Sequence, residues 1–195
     1  MNTKIITNVD KIDTEQLNRA KQIITELQNE LPEYIEHGHG PFLAAIYSGP
    51  YLISKRANTV VMDNCSNHHA EINVIRAAQS ELKTYDLAPK NLDLYITAEP
   101  CMMCIGAIMW SGIKNVYYGV PSKKVEKITG FDEGFKPNWL EEFKRRGINV
   151  YGNIESKLGE KVLKQFINHQ DNLLRNCAKN CFNICADCSA YSGIS

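Results

Sequence analysis

Asn91-Leu92-Asp93-Leu94-Tyr95-Ile96-Thr97-Ala98-Glu99-Pro100-Cys101-Met102-Met103-Cys104 is the stretch on which the fold turns. Its first seven residues place branched and aromatic side chains among polar ones, the composition of a strand. Pro100 follows, a residue favoured where a helix begins, and the chain beyond it reads as helix to about Ser111. A strand feeding directly into a helix is the opening half of a β-α-β unit. Cys101 and Cys104, three residues apart in the first turn of that helix, share one face, and the positive end of the helix dipole favours their thiolates.

Upstream stands His69-Ala70-Glu71, at the head of a run to Ala78 whose apolar residues recur at helical spacing. Ligand and acid are therefore expected in the first turn of a second helix, and the two helix starts are expected to converge. A catalytic zinc takes three protein ligands and keeps a fourth position for water, and His69, Cys101 and Cys104 would supply that set. Glu71, beside a ligand without being one, is placed to accept a proton from the activated water and pass it to a substrate nitrogen. H-x-E followed by P-C-x-x-C is the signature of zinc nucleobase deaminases. Taken singly, each piece has a plainer reading: a redox pair or half of a structural zinc site for the cysteines, an ordinary polar residue for His69, a first-turn acid for Glu71. Their conjunction at two helix starts selects the catalytic reading. His68 lies outside the pattern and reads as a solvated or outer residue, with metal ligation the lesser option.

The rest of the chain sets bounds. With 195 residues and 44% hydrophobic content it has the size of one domain, expected over 1–175, followed by a cysteine-rich tail over 176–195. Lysine plus arginine equals aspartate plus glutamate at 22 each, so the basic surplus that marks phosphate-backbone binding is missing and a nucleic-acid substrate is disfavoured. Met1 to Asp10 has no long apolar core, and no segment approaches the length of a membrane span; a cytoplasmic protein without a membrane partner is expected. Of seven cysteines, Cys177, Cys181, Cys185 and Cys188 fall within twelve residues near the end. They read either as a second metal site or as thiols without a fixed partner.

Apolar periodicity predicts a helix over about Thr14 to Glu30, a hairpin of Phe42–Tyr47 with Tyr51–Arg56, the His69 helix, the strand before Pro100 and the cysteine helix. A strand at Asn115–Val120, a helix over Pro137–Arg146, a strand at Ile148–Tyr151 and a last helix from Lys157 to about Leu174 complete the set. The sum is an α/β domain: a three-layer α/β/α fold around a central five-stranded mixed sheet.

These motifs resemble the cytidine deaminase-like superfamily, and within it the bacterial guanine deaminases. The likeness runs over roughly residues 14–172 and includes Gly40-Pro41-Phe42, Asn58, Gly106-Ala107-Ile108-Met109-Trp110 and Gly130-Phe131-Asp132-Glu133. Glu133 stands where those enzymes carry a second aspartate. The resemblance implies the cytidine deaminase-like fold, zinc-dependent hydrolysis of guanine to xanthine and ammonia, and a homodimer. It also implies a nucleobase pocket formed by Phe42, Asn58, Ala70 and Trp110, with Glu133 as a second acid meeting the guanine N–H groups or aiding proton transfer. Phe42 and Trp110 offer flat apolar faces to a purine, core packing being the alternative, and Asn58 has both a donor and an acceptor. The competing readings are a tRNA adenosine deaminase, a cytosine, guanosine or other nucleoside deaminase, and a noncatalytic zinc-stabilised binding or redox module. A free Glu71 argues against the last, since a structural zinc site needs no acid beside it.

Overall fold

The computed structural model describes residues 13–180, with side chains through residue 170. Cys181, Cys185 and Cys188 lie outside the described residues, and Cys177 falls among those without a described side chain. Helix α1 (Thr14–Glu36) starts where the Asp13 carboxylate accepts the Glu15 N–H at 3.2 Å. Its buried stripe of Ala20, Ile23, Ile24, Leu27 and Leu31 recurs at helical spacing. The helix runs past the predicted end at Glu30 and through Pro32. Pro32 removes one backbone hydrogen bond, but Leu31 is buried in the same cluster on which Tyr34 and Ile35 pack, and that apolar burial offsets the loss.

Five strands follow in the sheet order β2-β1-β3-β4-β5, comprising β1 (Leu43–Ser48), β2 (Tyr51–Ala57), β3 (Asp93–Ala98), β4 (Asn115–Val120) and β5 (Asn149–Tyr151). β1 is antiparallel to both β2 and β3, whereas β3, β4 and β5 are parallel. Alternation sorts their side chains into two cores. Ala44, Ile46, Leu94, Ile96, Val116 and Val150 face α2 (Ala70–Glu81) and α3 (Met102–Ser111), while Leu43, Ala45, Tyr95, Tyr117 and Tyr151 face α1 and α6 (Ser156–Asn180). The expected three-layer architecture with a five-stranded mixed sheet is what the chain forms.

Register is set on the α1 side by two ladders. Tyr95, Tyr117 and Tyr151 are aligned across the parallel strands and stack with ring centroids 4.6 and 4.8 Å apart. Two residues earlier on the same face, the Asn149 amide donates to Asn115 and the Asn115 amide to Asp93, each at 2.7 Å. A slip of one residue would break both ladders at once. A short helix absent from the periodicity, α4 (Ser122–Thr129), follows β4 and buries Val125 against Ala98, Val120 and Leu163. Helix α5 (Trp139–Arg145) then precedes β5.

At Gly119 the sheet passes beneath α1 without room for a side chain. A Cβ there would sit 2.4 Å from the Thr97 carbonyl oxygen and 2.6 Å from the Gln28 amide nitrogen. Gly119→Ala is expected to lower stability by about 1–3 kcal/mol in urea unfolding, the range for overpacked cores. An unchanged midpoint would show that the strand shifts freely.

Candidate active site

The antiparallel pairing of β1 with β3 decides which loops meet. The end of β3, the start of β1 and the end of β2 lie at one sheet edge: the Leu43 N–H donates to the Thr97 hydroxyl at 3.1 Å, and Leu43 pairs with Ala57. Pro100-Cys101, Gly40-Pro41-Phe42 and Asn58 are thereby gathered beside one another. It is also the carboxyl end of the parallel strands, where α/β folds place their sites.

The two predicted helix starts converge there, with one adjustment. His69 and Cys101 are the N-cap residues of α2 and α3, both in extended backbone, and do not lie within the first turns. Cys104 is buried one turn into α3. The His69 Nδ1 atom lies 3.5 Å from the Cys101 sulfur and 3.7 Å from the Cys104 sulfur, and all three donor atoms are within 4.8 Å of one another. A tetrahedral zinc with ordinary bond lengths separates its nitrogen and sulfur ligands by about 3.5 Å, so the three side chains fit that ion. The donor chemistry fits as well. Hydrogen bonds from Cys104 and from His69 hold the Cys101 thiol down to about 4, while the bond to Cys101, with burial, pushes the Cys104 thiol up. His69 is raised, chiefly by its hydrogen bond to Cys101.

Glu71 follows in the first turn of α2, 6% exposed, and burial together with the Cys101 charge pushes it up to about 7. Glu133 reaches the same cluster from the segment after α4. It is 7% exposed and raised to about 8, again by burial first and then by Cys101, with Lys136 acting in the opposite direction. A carboxyl group near neutrality is suited to both taking up and giving back a proton.

The remaining expected pocket residues are distributed unevenly. Ala70 is fully buried between His69 and Glu71. Asn58 is buried, and its side-chain oxygen accepts the Val60 N–H at 3.1 Å. Gly40 must lack a side chain because a Cβ would stand 2.6 Å from that same oxygen. Phe42 is half-buried with its ring centroid 6.2 Å from that of Phe131, which in turn lies 6.3 Å from Phe166 of α6. Trp110 departs from the core reading. It is 73% exposed, six residues beyond Cys104 along α3, with the Arg146 guanidinium 4.8 Å above its ring. Among the described residues nothing covers it as core, and about 9 Å of helix rise separates it from Cys104.

Other side chains at the site went unmarked in the sequence. The Asn73 amide reaches the carbonyls of Ala57 and His68 and the Thr59 hydroxyl at 3.0–3.2 Å, tying the loop before His69 to α2. His68, already read from the sequence as a solvated or outer residue, pairs with Asp63 at 2.7 Å, outside the donor cluster. Lys136 and Glu99 form a nearly buried ion pair at 3.0 Å. Glu99 could have been noticed, since it directly precedes Pro100-Cys101, but its partner lies in a segment without periodicity.

Residues 17–170 match the MafB19-like deaminase family. The chain belongs to that family. Among curated relatives of this MafB19-like deaminase, the tRNA-specific adenosine deaminase of Buchnera aphidicola subsp. Schizaphis graminum is 39% identical over 92 residues, 47% of this chain and 60% of that one. The guanine deaminase of Bacillus subtilis is 38% identical over 96 residues, 49% of this chain and 60% of that one. The matches thus span about three-fifths of the length of these relatives. A mutant protein solved in complex with 8-azaguanine superposes with a TM-score of 0.74 at 33% identity, covering 77% of this chain and 85% of the other. The cytidine deaminase-like fold expected from the sequence is therefore the fold of this MafB19-like deaminase.

If the three donors form a metal centre, Cys101→Ala should take zinc from about one per chain to near zero. The measurement is elemental analysis of protein whose Cys177, Cys181, Cys185 and Cys188 have been replaced by serine. Unchanged zinc content would overturn the ligand set.

Proposed function

We propose that this deaminase is a zinc-dependent hydrolase of a purine base, converting guanine and water to xanthine and ammonia. The observation that carries the reading is the burial of two carboxyl groups, Glu71 and Glu133, against the His69, Cys101 and Cys104 donors. A bound zinc would supply Lewis-acid activation of the attacking water. Everything else falls to the chain. Glu71, fixed on a helix, carries the first proton of the water to a ring nitrogen as the C2–O bond forms, and then carries the proton of the new C2 hydroxyl to the amine as the C2–N bond breaks and ammonia leaves. Glu133 accepts hydrogen bonds from the ring N–H and amino group, an edge that guanine has and adenine lacks. Asn58 offers its amide NH2 to a ring acceptor, and Phe42 with Phe131 supplies the apolar wall for the purine.

A tRNA adenosine deaminase is the second reading, favoured by the 39% identity to such an enzyme. The balanced charge of 22 basic and 22 acidic residues speaks against it, because a tRNA substrate calls for a phosphate-binding surface. Ammonia release from guanine, guanosine, adenine, cytosine, cytidine and a tRNA anticodon stem-loop separates the readings. Turnover confined to guanine supports the proposal, and turnover confined to the stem-loop replaces it with the second. On the active substrate, Glu71→Ala is expected to keep its zinc and fold while losing about 10²–10⁴-fold in kcat, the worth of a positioned proton carrier. Retained turnover would remove Glu71 from the mechanism.

A homodimer and a cytoplasmic location belong to the same proposal. Among the described residues no helix is long and apolar enough to cross a membrane. Met103 and Trp110, 37% and 73% exposed, stand seven residues apart and so share one face of α3, an apolar surface on which a second copy would seat. Sedimentation should give a dimer that Trp110→Glu shifts toward monomer. A monomer in both cases would reject this interface.

A further inference from the structure

Glu133 is a buried acid carried on a segment, residues 130–138, with no helix or strand of its own. Something must hold that segment in place. Its backbone is tied at Glu133 itself, whose carbonyl accepts the Met102 N–H at 3.1 Å, one residue past the expected zinc ligand Cys101. Beside this bond Gly134 presses so closely on α3 that a Cβ there would meet that of Met102 at 3.0 Å. Three residues beyond Glu133, the Lys136 ammonium donates to the Glu99 carboxylate at 3.0 Å, to the Pro100 carbonyl at 3.1 Å and to the Ser122 hydroxyl. The other Glu99 oxygen accepts the Ser122 N–H at 3.1 Å. The Lys136 and Glu99 side chains are only 10% and 14% exposed. One ammonium thus joins the end of β3, the start of α4 and the segment bearing Glu133.

We propose that Lys136 is a positioning residue for Glu133: by clasping Glu99 and the Pro100 carbonyl it docks residues 130–138 on the head of α3 and sets where the Glu133 carboxyl meets the base. This rests on the reading of Glu133 as a substrate contact. A lysine held by three acceptors on two different elements fixes a loop in three dimensions, whereas a surface ion pair of the same charge would leave it free to swing. Glu99 supplies the anchor because it is rigid, extending the β3–β4 ladder through its own N–H to the Val120 carbonyl at 2.8 Å.

The test is a double-substitution cycle on the full-length, zinc-loaded protein with guanine as substrate. Lys136→Met is expected to lower kcat/KM at least about tenfold with zinc content unchanged, but less than about twofold when Glu133 is already glutamine, because both changes act through one carboxyl. Lys136→Arg should recover part of the loss. Because Lys136→Met leaves a buried carboxylate without its cation, Glu99→Gln/Lys136→Met provides a neutral pair for the same comparison should the single variant fail to fold. Amide exchange at Met102 is the readout that needs no substrate, and it should accelerate in the Lys136 variants and not in Glu133→Gln. Additive effects of the Lys136 and Glu133 substitutions, or unchanged exchange at Met102, would overturn the proposal. If Glu133→Gln alone leaves guanine turnover intact, the role given to Glu133 fails, and positioning by Lys136 fails with it even where Met102 exchange shows that the segment is docked.

Discussion

Two helix N-termini must meet at one point for this molecule to have a site at all. Each brings unpaired backbone N–H groups and a partial positive charge. Between them lie a low-titrating cysteine and two raised carboxyl groups, a concentration of acids whose charged forms the helix dipoles help to hold together in an apolar setting. The fold serves this convergence. α2 begins after the β1–β2 hairpin has brought Asn58 to the edge, α3 begins after the central strand β3, and the antiparallel pairing of β1 with β3 puts both beginnings at the same end of the sheet.

The parts visible in the sequence were those with short-range causes. Strand alternation, helical spacing and the H-x-E and P-C-x-x-C motifs are local, and they locate each strand among the described residues and the group His69, Cys101 and Cys104. Misjudged boundaries have tertiary causes. α1 continues through Pro32 because Tyr34 and Ile35 find a core to pack on, which no window of sequence reveals. α4 is eight residues long and held by Val125 against α6, too short for periodicity to register. Trp110 misled for a different reason: an indole in an apolar run reads as inward-facing, yet rotation along α3 carries it outward, where Arg146 rather than the core meets it. Lys136 is silent in the sequence because its partners Glu99, Pro100 and Ser122 lie 37, 36 and 14 residues away.

The two acids also differ in the kind of element that bears them, and under the proposed function that difference separates proton transfer from base selection. Glu71 sits in a helix whose start is held by the Asn73 amide, so its distance from the donor set follows from secondary structure. Glu133 sits on an irregular segment positioned by side-chain contacts. Loops change at less cost to the core than helices do, so the residues facing a base could diverge while the donors and the proton carrier stay fixed. That is consistent with a chain whose relatives at similar identity include an adenosine and a guanine deaminase.

On this view the Lys136–Glu99 pair connects the two parts. Glu99 belongs to the rigid part, adjoining Pro100 and Cys101, and Lys136 to the irregular segment. An ion pair across that boundary lets the segment be replaced as a unit, because a new loop needs only one cation at the right height to dock on the same carboxylate. A buried ion pair contributes little net stability when set against an apolar pair of equal volume. Its directionality is what an apolar contact could not supply here: the ammonium fixes the height and rotation of the loop that carries the buried Glu133 carboxyl, the group proposed to meet the base.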